Sequence, residues 1–118
     1  MHNFRKLNVW TRSRVFARDV LRLTDAARPS DKLVTSQLRR SALAIGAQIS
    51  EGCGKRTRAE TIRFLDMACA SAGESEHHLT QALDIAILPR RRSLHLMDEA
   101  CQLQRMIHAL IRNLPEEN

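Results

Sequence analysis

Seven cations in two short stretches are the residues of this sequence best suited to chemistry. They are Arg12, Arg14, Arg18 and Arg22, then Lys55, Arg56 and Arg58. A guanidinium group presents a planar fork of N–H donors that matches two phosphate oxygens, and each phosphate it neutralises releases condensed counterions. Arg14, Arg18 and Arg22 recur at every fourth residue, so on a helix they form one stripe of like charge. Left unpaired, such a stripe weakens its own helix, which points to a counter-charge from elsewhere. That counter-charge has two readings. One is the backbone of RNA or DNA. The other is a set of acids on a neighbouring protein surface, with Glu116 and Glu117 of a second copy as candidates. The chain has one Trp, three Phe and no Tyr, so stacking of bases is disfavoured and contacts to backbone phosphates are expected.

Other constellations are weaker. Gly52-Cys53-Gly54-Lys55 resembles a phosphate loop but lacks the G-x-x-x-x-G-K-[ST] spacing. Either glycine there suits a left-handed helix C-cap. Glu74-x-x-His77 raises the question of a di-iron bundle, which needs two such motifs and two more inward Glu. Only one occurs, and it falls on the outward side of the helical wheel, so no metal and no cofactor are expected. Cys53, Cys69 and Cys101 are widely spaced with no CxxC pair, and read as buried or incidental thiols of a reducing compartment. Without a supported Ser-His-Asp or Cys-His arrangement, the chain reads as non-enzymatic. Gln37, Arg39, Arg40, Glu51, Glu74 and Glu76 read as a structural polar network. In that network Arg39 or Arg40 meets Asp66 or Glu74, and Glu76, on the apolar side of its wheel, needs a partner.

The elements that must position these residues fit within 118 residues, enough for one domain. Hydrophobic residues are 43% and charged residues 27%, a globular balance. The net charge of +6 is unevenly spread. Residues 1–65 carry 14 Lys/Arg against five acids, whereas residues 66–118 carry five Arg against eight acids, so the basic surface belongs to the first half. No apolar run approaches the roughly 18–20 residues of a membrane span, and MHNFRKLNVWTRSRV is too interrupted by charge for a signal peptide. The expected location is the cytoplasm.

Three punctuation points, at Pro29, at Gly52-Cys53-Gly54 and at Pro89, divide the chain into four helical stretches, about 8–27, 31–51, 57–88 and 93–114. Each has one apolar stripe. Phe16, Val20, Ser13, Ala17, Trp10 and Leu21 share a face of the first, and Val34, Leu38, Ala42, Ile45 and Ile49 of the second. Leu65, Ala68, Ala72, Leu79, Leu83 and Ala86 serve the third, which opens on the capping box Thr57-Arg58-Ala59-Glu60. Leu96, Ala100, Leu103 and Ile107 serve the fourth. Short links make an antiparallel up-down-up-down four-helix bundle the expected all-α fold. Leu43 lies on the far side of the second helix, and a second ridge of Phe64, Met67, His78 and Ile85 flanks the third. Together they read as the oligomer interface.

At this level of detail the chain resembles a known family. The start FRKLNVW (Phe4–Trp10), the stretch QLRRSALAIGAQISEGCGKRT (Gln37–Thr57) and the stretch RFLDMACASAGESEHHL (Arg63–Leu79) occur in order over about 110 residues. They are similar to the F-x-x-L-x-V-W, Q-L-R-R, N-I-x-E-G-x-G-R and S-A-x-E-x-E marks of the four-helix bundle proteins encoded in intervening sequences of bacterial 23S rRNA genes. Gln48 stands where that family has Asn, Gly46 where Pro is common, and Ala86-Ile87 where Gly-Tyr is frequent. The resemblance implies a ring-like homopentamer, which would carry about +30 in total. It implies no enzymatic activity. Through a related branch it implies an accessory role beside the reverse transcriptase of diversity-generating retroelements.

Overall fold

The computed structural model describes residues 3–116. Glu117, one of the two acids considered as counter-charge, lies outside the described residues. Four helices account for most of the chain: α1 (Asn8–Thr24), α2 (Lys32–Cys53), α3 (Arg58–Asp84) and α4 (Arg90–Arg112). Helix α1 packs on α2 and α4, and α3 packs on α2 and α4, so the helices run around a square with α1 diagonal to α3. Cross-helix contacts such as Arg39 to Leu21, Ser41 to Ser75 and Glu76 to Gln104 show that neighbours are antiparallel. The bundle measures 52 × 21 × 20 Å.

The apolar stripes meet along the axis. Phe16, Val20, Leu38, Ile45, Ile49, Leu65, Leu79, Leu103 and Ile107 are the fully buried centre. Small residues set the helix spacing. A Cβ on Gly46 would stand 3.0 Å from Ser13 Oγ, and one on Gly52 would stand 3.2 Å from Phe64 Cβ and 3.3 Å from the Thr61 carbonyl oxygen. Thr61 uses that closeness to donate its hydroxyl to the Gly52 carbonyl at 3.0 Å. Gly52 therefore serves as a close-approach residue inside α2, and Gly54 ends the helix at φ −88°. Among the described residues no glycine has positive φ, which corrects the expected left-handed cap. The turn closes instead with Gly54 N–H on Glu51 O at 3.1 Å and Lys55 N–H on Gly52 O at 3.2 Å.

The helix ends differ from the periodicity because local caps decide them. Helix α1 stops at Thr24, whose hydroxyl turns back to Val20 O at 2.8 Å. Helix α3 stops at Asp84 in a Schellman motif. Ala86 sits at φ 57°, its N–H donates to Leu83 O, and the Ile87 N–H donates to Ala82 O. Helix α4 starts at Arg90, directly after Pro89, and Ser93 lies buried within its first turn with its hydroxyl on Pro89 O at 2.7 Å. Thr57 caps α3 by accepting from Glu60 N–H at 3.1 Å, and the Glu60 carboxylate turns to Arg63.

Two stability outcomes follow from these positions. Gly46→Leu drives a side chain into Ser13 and Trp10, and denaturant melts should show a loss of about 1–3 kcal/mol. Ala86→Gly removes the left-handed penalty of an L residue at the Schellman position and should raise stability by about 0.5–1 kcal/mol in the same melts.

Candidate polyanion interface

A surface cavity of about 630 Å³ forms a groove along the α1–α2 seam. Its floor is apolar: Trp10, Ala17, Leu21, Ala42 and Leu43. Gly46 and Ser13 line it at the point where the two helices touch. Arg14, Arg18 and Arg22 line it as well, one helical turn apart, about 6 Å of rise per step. At the end near the N-terminus, the Phe4 and Trp10 rings meet edge to face at 4.9 Å, and the Arg14 guanidinium carbon lies 4.9 Å from the Trp10 ring centroid. A cation over an indole face keeps its charge available while its position is fixed.

The seven proposed phosphate contacts separate on inspection. Arg14 and Arg22 are exposed and make no ion pair among the described residues. Arg18 is exposed, with its guanidinium 3.2 Å from Asp19. Arg12 is not available. Its Nη2 donates to Glu99 at 2.7 Å and to Gln102 at 2.9 Å, and its Nη1 lies 3.3 Å from Met106 Sδ. It ties α1 to α4, so its expected role as a nucleic-acid contact is corrected. Its partner lies 87 residues away in sequence, beyond the reach of any wheel or spacing rule.

The basic turn after α2 forms a smaller hollow of about 220 Å³ lined by Lys55, Arg56, Arg58, Thr61 and Glu116 among others. Arg56 is exposed, whereas Lys55 and Arg58 are half-buried. Glu116 reaches this hollow from the same chain, so part of the turn's charge is balanced internally. Lys55 Nζ and the Arg63 guanidinium both stand over the Phe64 ring, at 4.7 and 4.6 Å.

That roof corrects part of the expected contact surface. Phe64 is buried under the two cations, and His78 is buried with Nδ1 3.0 Å from Gln81 Oε1. Leu43, Met67 and Ile85 are exposed, at 53%, 39% and 57%. Leu43 lies in the arginine-lined groove itself, so a residue read as protein contact and residues read as phosphate contacts share one surface.

The expected polar network also changes partners. Arg39 meets no acid of α3. Its Nη1 donates to Leu21 O at 3.1 Å and Thr24 Oγ1 at 2.8 Å, where a cation answers the negative end of the α1 dipole. Glu76 finds its partner in Gln104 Nε2 at 2.8 Å. Gln37, Arg40, Glu51 and Glu74 are exposed, and their side chains make no hydrogen bond or ion pair among the described residues. Buried hydroxyls hold α2 to α3 instead: Ser41 Oγ to Ser75 Oγ at 2.8 Å and Ser71 Oγ to Gln48 Oε1 at 2.8 Å.

The Cys53 and Cys69 thiols lack activation. Burial pushes the Cys53 thiol up, and burial with the nearby Asp66 charge pushes Cys69 up, although Cys69 Sγ lies 3.3 Å from His108 Nε2. Among the described residues no group of three or more His, Cys, Asp or Glu is placed to hold a metal ion, and no helix is long and apolar enough to cross a membrane.

Fold and site together define an antiparallel helical bundle with an open, arginine-lined groove. The family model described as "23S rRNA-intervening sequence protein" matches residues 5–109, and the chain belongs to that family. No curated protein matches it. Among solved structures it is similar to a Bacteroides thetaiotaomicron protein of unknown function from the S23 ribosomal protein family. That similarity has a TM-score of 0.81 and 22% identity, over 89% of this chain and 99% of the other. At that identity the match speaks for the fold.

Arg12→Ala should lower stability by about 0.5–1 kcal/mol in denaturant melts, the range for a partly exposed ion pair, and leave polyanion affinity unchanged.

Proposed function

We propose that this protein is a non-enzymatic bundle that binds RNA or other nucleic acid through backbone phosphates. The binding surface is Arg14, Arg18 and Arg22 along the groove, with Arg56 and Lys55 at the basic turn. One observation carries the reading: guanidinium groups spaced one helical turn apart along an open groove, two of them without an acid partner among the described residues. A row of like charge costs helix stability unless an external anion answers it. The net charge of +6 adds long-range attraction for any polyanion. Among the described residues the aromatic rings lining the groove are Phe4 and Trp10, which pack on each other, and this favours contacts to the backbone over reading of bases. A cytoplasmic setting and an accessory role beside a reverse transcriptase complete the proposal.

A second reading has its own observation. Exposed Leu43 lies in the basic groove, and exposed Met67 lies on α3, and exposed Ile85 just past its end, with the exposed acids Asp66, Glu74 and Asp84. Surfaces of opposite charge, each with apolar residues, suit a head-to-tail contact between copies, which closes into a ring such as a pentamer. In this reading the protein is an oligomeric scaffold, and the groove is filled by protein.

The variant Arg14→Glu with Arg18→Glu separates the two. Under the first reading, single-stranded RNA binding by the wild type weakens by about 0.7 log units per log unit of salt for each phosphate contacted, and the variant loses binding while helicity by circular dichroism is retained. A clean preparation with no RNA affinity at low salt leaves the scaffold reading alone. Leu43→Asp, weighed by sedimentation, should reduce the assembly to smaller species if the groove is the contact between copies.

A further inference from the structure

We infer that the far end of the α1–α4 seam is a second phosphate-binding site, built by Arg22 of α1 with Arg91, Arg92 and His95 of α4. This inference rests on the polyanion reading and extends its surface to residues outside the groove and the basic turn. The four side chains, with Asp19 and Leu96, line an open cavity of about 450 Å³. Leu96 is a buried core residue, so the floor of the cavity is anchored in the bundle.

The charge balance of this cavity is lopsided. Three guanidinium groups line it against one carboxylate, and that carboxylate, Asp19, is already engaged by Arg18 at 3.2 Å. Arg22, Arg91 and Arg92 are exposed and have no ion pair among the described residues. The two α4 arginines also work against their own helix. They occupy its first turn, where the helix dipole favours anions, and that turn holds no acid and no side-chain cap. A sequence selected for stability alone would place Asp or Glu there. Local rules broken without a compensating contact in the free protein mark positions kept for another purpose.

The chemistry that answers this arrangement is a phosphate. Guanidinium forks from two helices converge on one space, which suits the separate oxygens of a tetrahedral oxyanion. Among the described residues no Phe, Tyr or Trp lines the cavity, which favours holding a phosphate over stacking a base. Arg22 lines both this cavity and the α1–α2 groove. A strand lying along Arg14, Arg18 and Arg22 therefore continues onto α4 without leaving cationic surface, and the track wraps the end of the bundle.

The test uses the full chain and the variant Arg91→Gln with Arg92→Gln. Both residues are exposed, so the fold should be kept, and circular dichroism checks it. Binding of a labelled oligouridylate is measured over a series of KCl concentrations, and sodium pyrophosphate is titrated separately with arginine Nε–H signals followed by NMR. Loss of two phosphate contacts should reduce the log–log salt slope by about 1.4, or about 0.7 per contact, with weaker binding at every salt concentration. Pyrophosphate should shift the Arg22, Arg91 and Arg92 signals of the wild type. An unchanged slope and affinity in this variant, with binding lost in Arg14→Glu/Arg18→Glu, overturns the second site and leaves the groove reading standing. If the wild type binds no oligouridylate, the polyanion reading fails, and the pyrophosphate titration decides this site alone. Shifts confined to the three arginines then support a site for free phosphate, and their absence overturns it.

Discussion

Helix α2 touches α1 at Gly46 and α3 at Gly52, and both contacts are too close for an added side chain without movement of a neighbour. At Gly46 the opposing group is a small hydroxyl, Ser13, beside the Trp10 indole. At Gly52 it is backbone and the Phe64 stem. Because interiors are packed as densely as crystals, these two points hold α2 between its neighbours with little freedom to slide. The arginine-lined groove is the outer side of the first contact. Its depth is the space left where two helices approach closely below and their side chains diverge above. Ser41 and Ser75, paired at 2.8 Å in the interior, add a polar lock between α2 and α3 that an apolar pair would not supply.

The cations of the chain divide by what their neighbours provide. Arg12 holds α1 to α4 through Glu99 and Gln102, and Arg39 closes the end of α1 through Leu21 O and Thr24. Lys55 and Arg63 cover Phe64 with their charges over its ring. Arg12, Arg39 and Arg63 belong to the architecture, and Lys55 covers the ring while standing in the proposed binding surface. Arg14, Arg22, Arg91 and Arg92 face outward with no acid partner among the described residues. The free protein carries the repulsion of those charges as a standing cost, which the proposed anionic ligand would lift.

The periodicity of apolar residues was enough to read the four helices and most of the axial core, because a 3.6-residue repeat is a property of the sequence itself. The stripe of Arg14, Arg18 and Arg22 was legible for the same reason. Partners across the bundle were not. Arg12 was assigned to a ligand because Glu99 is distant in sequence, and Arg39 was assigned to an acid because spacing rules do not anticipate a guanidinium on a backbone carbonyl. Phe64 and His78 looked like surface on a wheel that ignores the long cations and neighbouring turns folded over them. The arginines at 90–92 fall before the helical stretch read from the sequence as about 93–114, since nothing local says that α4 starts at Arg90 and brings them beside Arg22. Ala86 carries the left-handed conformation that suits Gly, and only the backbone of the Schellman turn reveals it.

Trp10 is the chain's single tryptophan, there is no tyrosine, and the indole lies at one end of the groove with the Arg14 guanidinium over its face. Near-ultraviolet emission from this molecule thus arises almost entirely from one ring at the proposed contact surface. Anything that draws the guanidinium away, or excludes water from that ring, alters the colour and yield of its light. The fold thereby contains a built-in optical probe of its own groove, needing no label and undiluted by signal from the core.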